Sequence, residues 1–230
     1  MRDDGTQRTT VLHSQQPAPR RADDDPLKVA VIYYSATGSV HALAQSVADG
    51  ARDSGGSVRV VRVHETVPRD IVERNPLWAR HLDATERVPL ATLADVRAAD
   101  VILLGTPTRF GHVSSQLQAF IDTWGELWGA NAFADKVFSA FTSTATNHGG
   151  QETTLMSIYT TVCHLGGVIV PPGYTEPGLF ETGNPYGASS VSRNGELPPT
   201  DADLQSAYVV GRRATQVAAD LRTGRRLRQR

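Results

Sequence analysis

The chain has 230 residues, 40 % of them hydrophobic and 20 % charged, with a formal net charge of −1. That size and balance suit a soluble domain with a real core, and they exclude a partner recruited by bulk charge, such as nucleic acid. A single cysteine, Cys163, excludes an internal disulfide and a cysteine-based zinc site.

Residues 1–26 are polar, rich in Asp, Arg, Gln and Pro, and aperiodic, so a disordered extension is expected there. They lack the apolar core of a signal peptide, and no apolar run approaches the roughly 20 residues of a bilayer span. A cytoplasmic protein without membrane insertion is therefore expected. From Leu27 the pattern changes. Val29 to Tyr34 is a short apolar run, as in a strand buried on both faces. Val40, Leu43, Ala44, Val47, Ala48 and Ala51 then fall on one helical face that ends at Gly55-Gly56. Ser57 to Val63 alternates as a second strand. The stretch 64–99 is weakly patterned, with a short helix near Leu90–Ala98.

Val101 to Leu104 is a third strand, followed by a loop over Gly105–Val113. Leu117, Phe120, Ile121, Trp124 and Trp128 form the stripe of one helix of about 15 residues starting by Ser114. Val137 to Phe141 is a fourth strand, and Leu155, Ile158, Tyr159 and Val162 a helical face closed by Gly166-Gly167. Val168 to Val170 is a fifth strand. Residues 171–200 hold six prolines and five glycines without a period, and are expected as a long functional loop over a pocket. A last helix over Asp201–Arg222 has Thr200 as N-cap and Leu204, Ala207, Tyr208, Gly211, Ala214, Ala218 and Leu221 inward. Residues 223–230 read as a basic tail. The domain thus spans 27–222. Alternating strands and helices predict an α/β three-layer sandwich around a five-stranded parallel sheet of order 2-1-3-4-5.

In such a sheet ligands sit beyond the carboxyl ends of the strands, where the strand order reverses. Three loops should meet there. The first, Ser35, Ala36, Thr37, Gly38, Ser39 and Val40, offers hydroxyls, a glycine and a helix N-terminus, which suit a phosphate. The same residues also read as an ordinary helix cap. No nucleotide-triphosphate or dinucleotide glycine motif is present. The second loop, Pro107, Thr108, Arg109, Phe110, Gly111 and His112, supplies a cation and an aromatic ring that suit a planar heterocycle, unless Phe110 plugs the core. The third, Ser143, Thr144, Ala145, Thr146, Asn147 and His148 with Gly149-Gly150-Gln151-Glu152, has the composition of a linker as well as of a site. His164 reads as a helix C-cap, Trp124 and Trp128 as core, and Cys163 as a small buried residue. No cluster has metal-ligand spacing, and no Gly-x-Ser-x-Gly elbow occurs.

The run from Gly105 to Gly111 resembles the signature of the WrbA-type NAD(P)H:quinone oxidoreductases, flavodoxin-like FMN enzymes. So do Gly149 to Thr153, Gly166 to Pro171 and Asn184 to Ala188, and the likeness extends from Lys28 to Leu221. The resemblance implies FMN as cofactor, its phosphate at Ser35–Val40 and its ring between Thr108–His112 and Ser143–His148. It further implies a flavin-contacting histidine at His164, a substrate-site tryptophan at Trp128, and a homotetramer whose sites neighbouring chains complete. Departures are Thr37 where the family often has tyrosine near the nicotinamide, and Ala145, Asn147 and His148 in a loop that can be nearly all glycine. The implied activity is ping-pong, two-electron reduction of quinones by NAD(P)H, with Thr37 and Trp128 facing the substrates. The cofactor does the chemistry, so no catalytic acid or base is assigned. A one-electron carrier and a non-catalytic regulatory module are the rival readings. The net charge of −1 disfavours the carrier.

Overall fold

The computed structural model describes residues 25–228. The extension expected over 1–26 lies outside them, apart from Asp25 and Pro26. β1 (Lys28–Tyr33), α1 (Ser39–Asp53) and β2 (Ser57–Arg62) make the first unit. α2 (Arg69–Val72), α3 (Pro76–Ala84) and α4 (Leu93–Ala98) precede β3 (Val101–Pro107). α5 (Ser115–Asp122) and α6 (Gly125–Gly129) lead to β4 (Val137–Thr144), then α7 (Gln151–Leu165) to β5 (Val168–Ile169). α8 (Leu179–Thr182), β6 (Ala188–Val191) and α9 (Asp201–Arg228) follow.

The parallel order β2-β1-β3-β4-β5 matches the expectation. Alternate residues of each central strand feed opposite cores. Val29, Val31, Tyr33 and Leu103 pack against α1 and α9, while Ala30, Ile32, Ile102 and Leu104 pack against the other helical layer. On the first face, α1 and α9 cross backbone to backbone. A Cβ on Gly50 would lie 2.0 Å from the carbonyl oxygen of Tyr208, and one on Gly211 would lie 1.8 Å from that of Val47.

The structure departs from the sequence reading in six places, one of them Cys163, expected to be buried and instead exposed on the outer side of α7. The fifth strand is split: Val168 and Ile169 pair with Val137 and Phe138, and β6 then continues along the same edge of β4, from Phe141 to Thr144. That pairing draws Ser143 and Thr144 into β4 as buried strand residues, and it replaces the structureless loop of 171–200 with α8, β6 and a 3₁₀ turn at Arg193–Gly195. The helix expected from Ser114 to Trp128 breaks at Thr123-Trp124 into α5 and α6, leaving Trp124 buried and Trp128 60 % exposed. The residues expected as a basic tail continue α9 to Arg228; Arg222 donates to the carbonyl of Asp25, and Arg225 to that of Asp135. Finally, 64–99 holds α2 and α3 besides the expected helix, which starts at a Thr92–Asp95 capping box. Thr200 caps α9 as expected, exchanging hydrogen bonds with Asp203. No helix among the described residues is long and apolar enough to cross a membrane.

Candidate functional site

A cavity of about 430 Å³ opens at the carboxyl ends of β1, β3 and β4. A larger recess, about 570 Å³, lies at the opposite end of the sheet among Lys28, Asp100, Lys136 and Arg222. It adjoins the point where the described chain begins, and open α/β sheets place ligands at the other end. We therefore take the smaller cavity as the site.

Its first wall is the turn into α1. Ser35, Ala36, Thr37, Ser39 and Val40 line it. Gly38 is the N-cap at φ +108°, a left-handed conformation that favours glycine, and its N–H donates to Ser35 Oγ at 3.1 Å. No side chain caps α1 and its first turn holds no acidic residue. A helix start left uncapped among hydroxyls, facing a cavity, is a cradle for an anion. Gly38 itself faces away from the cavity, against His81.

The second wall is a two-residue hairpin beyond β3. Arg109 and His112 exchange backbone hydrogen bonds of 2.9 and 3.0 Å, with Phe110 at φ 53° and Gly111 at φ 84° between them. Two successive left-handed residues make a type I′ turn. It throws Phe110 outward, 100 % exposed. Phe110 therefore does not plug the core. Pro107, Thr108, Arg109 and Phe110 line the cavity; Gly111 and His112 do not, because the turn directs them toward α7 and solvent.

The third wall runs along the end of β4. Ser143, Thr144, Ala145, Thr146 and Gly149 line it. Thr144 Oγ1 donates to the carbonyl of Thr146 and accepts from Gln151 Nε2, which folds the loop back over the strand. Asn147 and His148 are exposed at its tip, away from the cavity. A Cβ on Gly150 would lie 2.6 Å from Gly111 Cα, so the second and third loops touch backbone to backbone.

Four lining residues were not singled out in the sequence, although two of them fall in the stretch 171–200 expected over a pocket. Asn75 and Trp78 come from the start of α3, and Ser192 and Asn194 from the turn after β6. That turn sits on the first loop: a Cβ on Gly195 would lie 2.5 Å from Thr37 Cβ. Asn75-Pro76 carried a legible signal, an N-cap residue followed by proline at the first helical position. The residues of β6 carried none, since their pairing depends on β4.

His164 and Trp128 do not line the cavity. α7 starts beside the site and runs 15 residues, roughly 20 Å, before reaching His164. There the indole nitrogen of Trp128 donates to the His164 carbonyl at 3.2 Å. His164, expected beside a flavin, thus does not face the cavity of its own chain.

Behind the first loop lies a cluster of weak acids and bases. Tyr33 Oη and His41 Nδ1 are 2.5 Å apart, and the His41 ring meets that of His81 edge-on at 5.5 Å. Burial, then His41 and Arg62, push His81 down to about 4; burial lowers His41 also. Burial raises Tyr33 to about 12, with Arg62 opposing. Tyr34 is held well above the usual phenol range by burial and then by Glu65, to which it donates at 2.6 Å.

The sequence model of the NADPH-dependent FMN reductase family matches residues 27–176. An NAD(P)H dehydrogenase (quinone) from Deinococcus radiodurans is 44 % identical over 197 residues, 85 % of this chain and 98 % of that protein. Its namesake from Methylocella silvestris is 43 % identical over 201 residues, 85 % of this chain and 98 % of its own. Among solved structures, a flavodoxin, WrbA-like protein from Agrobacterium tumefaciens has a TM-score of 0.62 at 25 % identity, covering 84 % of this chain and 98 % of that one. An archaeal flavodoxin, with a TM-score of 0.55 at 17 % identity over 84 % of this chain and 99 % of its own, shares the fold.

Proposed function

The chain belongs to the NADPH-dependent FMN reductase family, and from that premise we propose that it is an FMN-dependent NAD(P)H:quinone oxidoreductase. The observation that carries the reading is the uncapped, hydroxyl-lined start of α1 opening into a cavity at the sheet's switch point. It fits one phosphate, and no second phosphate cradle is built beside it in the first loop, as FMN rather than FAD requires. When bound, FMN supplies hydride acceptance and donation.

The protein's own groups hold and shield. The first-turn N–H groups of α1 and the hydroxyls of Ser35, Thr37 and Ser39 bind the phosphate. Thr108, Arg109 and Phe110 on one side and Thr144 to Thr146 on the other enclose the ring, with Arg109 favouring negative charge that develops there. Ser192 and Asn194 close the wall above Thr37 and exclude water from it.

Nicotinamide and quinone share this one cavity and occupy it in turn, which makes the kinetics ping-pong. Trp128, exposed and remote from its own cavity, reaches that of a neighbouring subunit in a homotetramer, and His164 travels with it. The protein acts in the cytoplasm. An absorbance spectrum of the purified chain, with NAD(P)H oxidation followed against benzoquinone concentration, tests the reading. Flavin bands, FMN released on denaturation and parallel double-reciprocal lines are expected. Released FAD, or no quinone-dependent turnover, overturns it.

A further inference from the structure

Serines and threonines are the commonest residues on the cavity wall, and only Trp78 and Phe110 among its lining residues are aromatic. The two are held in opposite ways. Phe110 stands wholly exposed on its turn. Trp78 is half-buried against the same apolar cluster as Ala36, and its indole is fixed by hydrogen bonding.

The anchor is Glu65, in the segment after β2. Its Oε2 accepts from Trp78 Nε1 at 2.9 Å and from Tyr34 Oη at 2.6 Å. Its Oε1 accepts from Gln116 Nε2 at 2.8 Å and from the Val67 N–H at 3.0 Å. A carboxylate offers about four lone-pair sites, and all are filled here. Such a fully satisfied network fixes its members in one arrangement. It ties the end of β1, the first turn of α3 and the start of α5 to one carboxylate. Asn75 adds a second constraint, since its Oδ1 accepts from the N–H groups of Leu77 and Trp78. On a cavity wall, such anchoring keeps the indole from collapsing into the space or turning out to solvent.

We propose that Trp78 is a specificity-determining residue, its indole the fixed face on which a planar conjugated ring packs, and that Glu65 is its positioning residue. This rests on the flavin reading above and adds a residue to it. A flat π-surface selects flat partners, and offset stacking adds to the burial of area. The ring is either the isoalloxazine or the quinone, and the test separates them.

Wild type, Trp78→Leu, Trp78→Phe and Glu65→Gln would be compared as holoenzymes and after FMN removal. If Trp78 faces the flavin, Trp78→Leu weakens FMN binding by roughly tenfold and changes bound-FMN fluorescence, whereas Trp78→Phe does so less. If it faces the quinone, FMN affinity holds and the KM for menadione rises roughly tenfold with kcat little changed. Glu65→Gln should alter the near-UV circular dichroism of the indole and reproduce the Trp78→Phe effect. The double variant should then be no worse than Trp78→Phe, because Glu65 acts through Trp78. Should Trp78→Leu fail to fold, Trp78→Phe and Glu65→Gln carry the comparison. Folded variants with wild-type FMN affinity, fluorescence and menadione KM overturn the proposal. Were wild type to take up no FMN, the flavin reading would fall. Quenching of indole fluorescence by menadione in wild type, against Trp78→Leu, would still decide the role of Trp78.

Discussion

The indole nitrogen of Trp128 donates to the backbone carbonyl of His164 across 3.2 Å, joining the end of α6 to the end of α7 at a distance from the chain's own cavity. Trp128→Ala should therefore spare the fold of the monomer and its hold on FMN. If the residue completes a neighbouring subunit's site, quinone KM rises roughly tenfold, the loss of about 1.4 kcal/mol of apolar contact. Steady-state kinetics with size-exclusion chromatography check this, and a fully active monomer would refute it.

Thr37 lies between the start of α1 and the turn at Gly195. Thr37→Glu should weaken FMN by roughly tenfold or more, because a carboxylate faces the phosphate where the helix end favours a single anion. Thr37→Gln has nearly the same bulk without the charge and isolates the steric part. Riboflavin, lacking the phosphate, should bind Thr37→Glu and Thr37→Gln alike. Fluorescence titration of the apoproteins measures all four affinities.

Gly50 and Gly211 let α1 and α9 cross at backbone contact. Gly→Ala inside a helix ordinarily stabilises by about 0.5–1 kcal/mol. Here the sign should reverse, since the added methyl must displace carbonyl oxygens rather than side-chain ends. Gly211→Ala should lose about 1–3 kcal/mol by overpacking, read as a lower urea midpoint with an unchanged slope. An unchanged midpoint would mean that the helices can part at little cost.

His81 titrates from about 4 in the folded chain against an ordinary 6.5 when unfolded. Between those values the unfolded state binds the extra proton, so stability rises with pH across the window and is lost as pH falls from 6.5 toward 4. The charged and titratable groups that shift it are His41 on α1 and Arg62 on β2, both of which oppose protonation; Tyr33, Tyr34 and Glu65 line the same small cavity, and Glu65 is already engaged by Tyr34, Trp78, Gln116 and Val67. The swing is at most on the order of 3 kcal/mol. Urea unfolding from pH 4 to 7 should show a flatter profile in His81→Gln than in wild type.

The central strands were legible because both their faces are buried, so Val29 to Tyr34 and Val101 to Leu104 read as unbroken apolar runs. Their order followed from the alternation of elements, and the site followed from their order. What stayed hidden was whatever depended on partners distant in sequence. Ala188 to Val191 look like loop until β4 pairs with them. α3 buries no residue fully, so its stripe is faint, and with it Trp78 went unread. His164 lies away from its own chain's cavity for a geometric reason: residues on one helix face share a side of the sheet without sharing an end of it.

The split fifth strand has a consequence for how the chain avoids its own copies. A long bare edge invites pairing by foreign strands, and natural sheets blunt such edges by keeping them short. Here the edge is written in two pieces, two residues of β5 and four of β6, drawn from segments separated by α8. Neither is long enough to template an intruding strand. During synthesis, however, the carboxyl half of β4 stays uncovered until Ala188 to Val191 emerge. At this edge of the sheet, that interval rather than the finished fold is when edge-to-edge pairing would threaten.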